Sequence, residues 1–247
     1  MTATLSDADG GVASYRVDDS GGVRWVLDLR PYDGVDPARV AAAARASLGG
    51  HRVCLADDRL VDSLLAVGGR IQRRGSDYVF DTTAGVPAVW REPHLPTGLG
   101  LAPFAVTDSL VAAFAAAVPP DHPDHDPTED IADNLTGFIE GRWLGPLLVP
   151  AARVVTDGHT DYGGIVVTVR DRPPEIAGPW VCELFVHPER RGTGLGRALL
   201  QHAIAAAADV GYPRVGLVVT AGNPAERLYQ SVGFQLARTL TNVELPV

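Results

Sequence analysis

Residues 181–210, VCELFVHPERRGTGLGRALLQHAIAAAADV, constrain the fold more than any other stretch of the chain. Their apolar start predicts a buried strand, which ends at Pro188 because proline cannot donate a hydrogen bond to a sheet. The apolar residues that follow recur at helical spacing and predict a helical face formed by Leu195, Leu199, Ala203, Ala206 and Val210. The sequence therefore predicts a strand, a glycine-rich turn and a helix in direct succession.

The turn between these two elements suits an anion. Its sequence from Arg190 to Gly196, RRGTGLG, has two arginines and three glycines in seven positions. Glycine lets the backbone approach a ligand closely, and the free N–H groups at a helix start face the positive end of the helix dipole. Arg191 and Arg197 can add side-chain charge. The turn thus predicts a phosphate or pyrophosphate site, and a plain tight turn with exposed arginines is the alternative.

The order of residues in the turn separates the classes of phosphate-binding loop. The turn is not a G-x-G-x-x-G loop followed by an acidic residue, and the sequence has no G-x-x-x-x-G-K-[ST] loop. It does match R-x-x-G-x-G through Arg191, Gly194 and Gly196. In this the chain resembles the GCN5-related N-acetyltransferases, the GNAT superfamily, in which the turn binds the pyrophosphate of acetyl-coenzyme A.

A second segment carries the same resemblance. A strand candidate at residues 215–220 is followed by NPAERLYQSVGF at residues 223–234, which resembles the closing element of the family. Locally, Asn223 can cap a helix that Gly233 ends. The resemblance covers residues 99–247 and implies an α/β (α+β) GNAT-type fold, a mixed and mostly antiparallel central sheet flanked by helices. The predicted order there is a strand, two helices, three strands, a helix, a strand, a helix and a terminal strand.

Residues 1–82 predict a smaller N-terminal α/β subdomain, joined to the rest by a proline-rich linker at residues 83–98. Its first residues, 1–11, are expected to be frayed. Strands are predicted at residues 23–29, 52–56 and 76–82, and helices at residues 36–48 and 58–67. The order of strand, helix, glycine and strand echoes the segment after residue 215. A degenerate GNAT-like copy without a phosphate turn and an unrelated α/β extension both stay open.

Charge and composition restrict the partners. A formal net charge of -9 argues against general nucleic-acid binding and favours a cationic acceptor such as an amine. No basic segment precedes an apolar one at the N-terminus, and no apolar run approaches the ~20 residues of a membrane span. We therefore expect a cytoplasmic protein without a membrane partner, while a homodimer stays open. Cys54 and Cys182 lie in apolar runs and are expected to be buried thiols.

The segment at residues 121–130, DHPDHDPTED, alternates histidine and aspartate. Its prolines prevent a regular helix and the sequence offers no second ligand cluster, so we predict a solvated acidic loop and no metal. In the family the matching region shapes the acceptor site. Asp124, Asp126 and Glu129 are therefore candidates to attract an amine.

The resemblance also implies where the coenzyme lies. Asn223 would lie near the pantetheine arm, and backbone groups of Leu184, Phe185 and Val186 would lie beside the pantetheine and the acyl carbonyl. The pyrophosphate would be held by the turn residues Arg191, Gly192, Thr193, Gly194, Leu195, Gly196 and Arg197.

Two residues are candidate catalysts. Tyr229 stands at the position of the family's general acid, and a phenol with a pKa of about 10 can stay protonated and donate to a leaving thiolate whose thiol has a pKa of about 8.5. Glu183 is either a base that acts through water or a surface carboxylate, and His187 is the weaker candidate. The resemblance therefore implies an N-acetyltransferase that moves an acetyl group from acetyl-CoA to the amine of a small molecule or a peptide by direct attack in a ternary complex. A non-catalytic acyl-CoA sensor and an interaction protein are the alternatives.

Overall fold

The computed structural model describes residues 2–18, 24–170 and 177–247. Its contacts divide the chain into two compact units: unit 1 contains residues 1–76 and 238–247, and unit 2 contains residues 77–237. These units do not end at the boundaries that the sequence predicted. The segment predicted as a linker lies in unit 2, and the last strand of the chain runs from unit 2 into unit 1.

Unit 1 is a sheet with two helices. Its strands and helices are β1 (Thr2–Asp7), β2 (Gly10–Asp18), β3 (Trp25–Pro31), α1 (Pro37–Ser47), β4 (Arg52–Leu55), α2 (Asp58–Ala66) and the first part of β5 (Arg70–Asp81), with the end of β11 (Gln235–Glu244) paired to β4. The expectation of a frayed N-terminus was wrong, because β1 and β2 form an antiparallel pair that buries Leu5 and Val12. The predicted strand start at Val23 lies outside the described residues.

The helices of unit 1 begin as their sequences predict. Asp36 caps α1 by accepting a hydrogen bond from the N–H of Ala38 at 2.9 Å, and Pro37 occupies the first turn. Asp57 caps α2 in the same way. The apolar faces of both helices pack in one core with β4, through Val40, Ala41, Ala44, Leu60, Leu64, Val53 and Leu55.

Unit 2 has the element order that the sequence predicted. After the second part of β5 come β6 (Gly100–Pro103), α3 (Asp108–Ala117), α4 (Ile131–Ile139), β7 (Arg153–Thr156), β8 (Asp161–Arg170), β9 (Gly178–Val186), α5 (Leu195–Asp209), β10 (Arg214–Thr220), α6 (Glu226–Val232) and the start of β11. Within the unit the strands lie side by side in the order β5-β10-β9-β8-β7-β6. Strands β6 to β9 are antiparallel, and β9 and β10 are parallel. This mixed, mostly antiparallel sheet with flanking helices confirms the predicted fold class.

Helices pack two hydrophobic clusters of unit 2 against its sheet. Helix α5 buries Leu199, Leu200 and Ile204 in a cluster with residues of β8, β9 and β10, whereas α3 and α4 bury Leu110 and Leu135 in a second cluster. One detail of the predicted face of α5 was wrong, since Val210 is 54% exposed at the C-cap of the helix. Helix α4 ends at Ile139.

Strands β9 and β10 separate towards their carboxyl ends. Their registered pairing is limited to two residue pairs, Trp180 with Gly216 and Val181 with Leu217. At this point the pairing of β9 with β8 skips Cys182, which is the extra residue of a β-bulge. Residues 183–186 keep their pairing with β8, and among the described residues no registered pairing with β10 continues. One backbone edge of β9 is therefore left open beside the glycine turn.

The packing of Gly216 supplies a test of this sheet. A Cβ atom at residue 216 would lie 2.6 Å from the ring of Trp180, which is 2% exposed. We expect Gly216→Ala to lower the free energy of unfolding by about 1–3 kcal/mol, because an overpacked core must shift. Gly100→Ala is the control, since a Cβ there meets nothing within 4 Å. Urea unfolding measures both variants, and equal small effects would contradict the packing.

Candidate active site

The glycine turn connects β9 to α5. Gly192 and Gly194 have φ of 76° and 89°, in the left-handed region that glycine favours, and a Cβ at either position would meet nothing within 4 Å. Gly194 is the N-cap of the 15-residue helix α5, and no side chain in the described part of the chain caps it. The first N–H groups of α5 are therefore not used by a capping side chain, and they lie at the positive end of the helix dipole, as an anion site requires.

The arginines of the turn contact neighbouring elements. Arg191 donates to the carbonyl oxygen of Ala117 at the end of α3, at 2.7 Å. Arg197 donates to Oγ of Ser231 on α6, also at 2.7 Å. The guanidinium of Arg190 lies 4.5 Å from the ring centroid of a tyrosine on β8. The side chains thus hold the turn in place and keep positive charge near it, and the backbone at the start of α5 adds its own uncapped hydrogen-bond donors.

The other turn residues are small or buried. Thr193 donates its hydroxyl to the carbonyl oxygen of Arg190 at 2.6 Å, and Leu195 is 1% exposed. A Cβ at Gly196 would lie 3.4 Å from Leu228 and 3.7 Å from Val186. The first turn of α5 therefore approaches both α6 and the carboxyl end of β9 closely.

In residues 184–186 of β9, the predicted pantetheine segment, the backbone is more available to a ligand than the side chains are. Phe185 is 5% exposed, and its ring lies 4.9 Å from that of Phe114 in an edge-on contact of the core. Leu184 and Val186 are half-buried. Since this part of β9 pairs with β8 alone among the described strands, its other edge can bond an extended chain that carries amides.

Tyr229 lies on α6 and is 7% exposed. Burial raises the pKa of its phenol, and the nearby carboxylates of Asp124 and Glu183 raise that pKa further. The ring of Tyr229 packs against Phe234, with the centroids 6.1 Å apart. Its hydroxyl forms no hydrogen bond with the part of the chain that the structure describes. The phenol is therefore a protonated donor at neutral pH.

This environment predicts a pH dependence of stability. Below about pH 10 the phenol of Tyr229 is protonated in both the folded and the unfolded chain. As the pH rises further, the unfolded chain loses the proton first, because the folded pKa is the raised one, and the free energy of unfolding falls. We expect Tyr229→Phe to flatten this fall, measured by urea unfolding across about pH 9–11. Tyr32→Phe, at a residue that is 40% exposed, is the control.

The second candidate catalyst lies next to the bulge. Glu183 on β9 is half-buried, and its charge acts on both Tyr229 and Cys182. Burial raises the pKa of the Cys182 thiol to about 12, which leaves it protonated at neutral pH. His187 accepts a hydrogen bond from the N–H of Glu189 at 3.3 Å and caps the short 3-10 turn after β9. The structure therefore brings together Glu183 and Tyr229, and it gives His187 a structural contact.

Asn223 precedes α6, and its side chain bonds on both sides of the amide. Its Oδ1 accepts from the N–H of Ala225 at 2.8 Å, and its Nδ2 donates to Oδ2 of Asp124 at 2.7 Å. The other carboxylate oxygen of Asp124 accepts from the hydroxyl of Thr220 at the end of β10. Sequence reasoning named Asp124 and Asn223 separately and missed Thr220. No local signal connects these three residues.

The other two candidate acidic residues of this loop, Asp126 and Glu129, form hydrogen bonds within the loop and to α4. Asp126 accepts from the N–H and hydroxyl of Thr128 at 2.8 and 2.6 Å. Glu129 accepts from the side chain of Asn134 on α4, and burial raises the pKa of the Glu129 carboxyl.

Within residues 2–18, 24–170 and 177–247, no group of three or more His, Cys, Asp or Glu could hold a metal ion. In the same residues, no helix is long and apolar enough to cross a membrane.

Sequence comparisons identify the family. Residues 152–236 match the model of the acetyltransferase (GNAT) domain. The L-amino acid N-acyltransferase MnaT of Escherichia coli is 31% identical over 128 residues, which are 48% of this chain and 67% of that protein. The mycothiol acetyltransferase of Kineococcus radiotolerans is 33% identical over 150 residues, 60% of this chain and 46% of that protein, so the chain spans about half its length. The chain belongs to the GNAT family of acyltransferases, which use acyl-CoA.

Solved structures agree with this fold. A GCN5-related N-acetyltransferase from Sphaerobacter thermophilus superposes with a TM-score of 0.66 at 16% identity, covering 98% of this chain and 79% of that one. A tandem GNAT protein from the clavulanic acid biosynthesis pathway gives a TM-score of 0.55 at 16% identity, covering 98% and 82%. At such identities the likeness concerns the fold.

Proposed function

We propose that the chain is an acetyl-CoA-dependent N-acetyltransferase with an amine acceptor. The observation that carries this proposal is the uncapped N-terminus of α5 behind Gly194. Packing alone does not require a 15-residue helix to begin on a left-handed glycine that faces open space. A pyrophosphate at this position would accept hydrogen bonds from the turn and lie at the positive end of the dipole.

The open edge of β9 supports the position of the rest of the coenzyme. The pantetheine arm carries amide groups, which can bond to the backbone of residues 184–186 as another strand would. An arm that runs along this edge from the turn brings the thioester towards Glu183 and Tyr229. Asn223, at the turn before α6, would line the opposite side of the arm.

The acetyl transfer would then depend on Glu183 and Tyr229, the side chains at the thioester end of the coenzyme. The acceptor must attack as a neutral amine, and Glu183, directly or through water, is the candidate to take its proton. As the new C–N bond forms, the C–S bond breaks and the electron pair moves to sulfur. Tyr229 is buried and protonated, so it can donate its proton to the leaving thiolate. Acceptor and coenzyme are bound together, because the turn holds the coenzyme while the amine approaches.

The test is an acetyl-transfer assay with a panel of amines. Purified chain is mixed with acetyl-CoA and each acceptor, and free thiol is measured against the same mixture without acceptor. L-amino acids head the panel because one relative is named as an L-amino acid N-acyltransferase. Coenzyme binding without thiol release from any acceptor would favour the sensor alternative. Absence of coenzyme binding would contradict both.

We also propose that unit 1 is a degenerate copy of the second part of unit 2. The order β1-β2-β3-α1-β4-α2-β5 repeats the order β7-β8-β9-α5-β10-α6-β11. In both cases the parallel pair that surrounds the crossover helix is registered over two residue pairs, at Trp25 with Arg52 and Val26 with Val53 in unit 1.

Location in the cytoplasm and a homodimeric state remain predictions of the sequence.

The copy in unit 1 would not bind a coenzyme. Where α5 has the uncapped Gly194, the equivalent helix α1 has Asp36, whose carboxylate already accepts a backbone N–H. A carboxylate at this position repels a pyrophosphate and occupies its donor. We therefore expect one molecule of acetyl-CoA per chain, measured by calorimetric titration, and a stoichiometry of two would contradict the proposal.

A further inference from the structure

We propose that Asp124 is a positioning residue of this site, whose carboxylate latches the loop between α3 and α4 (residues 118–130, the acceptor loop) to the end of β10 and to the turn before α6. The inference rests on the proposed function, because it gives this loop the task of holding the acceptor beside Tyr229. The latch itself, however, is a set of hydrogen bonds that can be tested without any substrate.

Both oxygens of the Asp124 carboxylate take part. One accepts from the hydroxyl of Thr220, which is 6% exposed, and the other accepts from Nδ2 of Asn223 at 2.7 Å. Because the amide of Asn223 points its NH2 group at Asp124, its oxygen is directed at the N–H of Ala225. The carboxylate thus fixes the orientation of Asn223 as well as the position of the loop.

Several other hydrogen bonds of the acceptor loop are local. His122 accepts from the N–H of Asp124 at 3.2 Å, and His125 lies 3.2 Å from the carbonyl oxygen of Val118. Asp126 and Glu129 bond within the loop and to α4, as described above. The loop also contains four prolines, at residues 119, 120, 123 and 127, which prevent helical hydrogen bonding. Asp124 therefore joins the acceptor loop to β10 and to the turn before α6, which the local hydrogen bonds of the loop do not do.

The position of the latch connects it to the reaction. The carboxylate of Asp124 is close enough to raise the pKa of Tyr229, which lies in the middle of α6, the helix that follows Asn223. A loop that is released from Thr220 and Asn223 would move away from the phenol. The acceptor, which must sit between the loop and the thioester, would then be held less well, whereas the pyrophosphate turn would be unchanged.

The direct test compares Asp124→Asn with Asp121→Asn. The first variant keeps the size of the side chain but removes its charge, so any hydrogen bonds left to Thr220 and Asn223 are the weaker bonds between neutral groups. The second removes the same charge from an exposed residue of the same loop. We expect backbone hydrogen exchange over residues 118–130 to be about tenfold faster in Asp124→Asn, as loss of a hydrogen bond to a charged group implies, and unchanged in Asp121→Asn.

The partner on β10 supplies a second pair of variants. Thr220→Val removes the hydroxyl donor and should accelerate the same exchange, and Thr220→Ser should restore it. The effects of Asp124→Asn and Thr220→Val should be less than additive in the double variant, because the bond between these two residues is weakened or removed by both changes. For an L-amino acid that the chain acetylates, the acceptor KM should rise about tenfold in Asp124→Asn, with kcat and the melting shift by acetyl-CoA less affected.

Two results would overturn the latch: exchange of the acceptor loop that is equal in Asp124→Asn and in the wild type, or effects of Asp124→Asn and Thr220→Val that simply add. Failure of the proposed function is recognised separately, because it is the absence of stabilisation by acetyl-CoA in the wild type. If Asp124→Asn does not fold, the Thr220 pair and its rescue by serine decide the question.

Discussion

The Gly194→Glu variant should lose all stabilisation by acetyl-CoA. In the wild type, a ligand at 100 times its Kd stabilises the folded state by about 2.7 kcal/mol, a shift of several degrees in Tm. The substitution puts a carboxylate at the N-terminus of α5, where it competes with the pyrophosphate for the same N–H groups and repels it. Thermal melting with and without acetyl-CoA, each variant compared with its own ligand-free curve, measures the effect.

The matched control is Gly211→Glu. Gly211 has φ of 95°, and a Cβ there would also meet nothing within 4 Å, so backbone strain and added charge are the same. It follows the other end of α5, and the variant should keep the acetyl-CoA shift. Residual binding by Gly194→Glu would place a coenzyme elsewhere, including in unit 1. An equal loss in Gly211→Glu would mean that the damage is general.

Tyr229→Phe should lower kcat by about 10²–10⁴-fold, the usual contribution of a general acid, and leave acetyl-CoA binding intact. The ring fits the same space, so the change removes the proton donor alone. Without it, the thiolate must leave unprotonated or take a proton from water. Steady-state rates of thiol release, together with the melting shift by acetyl-CoA, separate lost chemistry from lost binding.

The control for this variant is Tyr78→Phe on β5. The hydroxyl of Tyr78 donates to Glu226 at 2.5 Å and accepts from Gln230 at 3.1 Å, so it holds the same helix α6 from another side. Its loss should lower stability and change kcat little. A fall in kcat as large as that of Tyr229→Phe would show that displacement of α6, and not loss of a proton donor, explains both.

The fold of unit 2 could be predicted because its signals are local. Apolar periodicity and turn residues marked its elements in the right order, although Asn223 precedes the N-cap of α6, which is Ala225. The first part of β5 was missed because residues 70–74 are all exposed, and a strand without one buried face shows no alternation. The N-terminal hairpin was missed because Leu5 is the only large apolar residue of β1.

In the candidate site, too, features formed by adjacent residues could be predicted, whereas contacts between distant residues could not. The turn was found from Gly192, Gly194 and Gly196, since a helix start and its phosphate-binding backbone occupy adjacent residues. The bonds of Asp124 to Thr220 and Asn223 join residues 96 and 99 positions apart, and no spacing rule connects them. The directions of Arg191 and Arg197 were equally unpredictable, because they depend on which carbonyl or hydroxyl group tertiary packing brings near.

The last strand gives the order in which the chain can assemble on the ribosome. Residues 241–244 pair with β4, and Val243 and Leu245 are buried in the core of unit 1, although the whole of unit 2 is synthesised before them. In the nascent chain this edge of β4 therefore stays unpaired until residues 241–244 have emerged. A cut at residues 83–98 would leave that segment permanently without its final strand, so the two units are not separable modules.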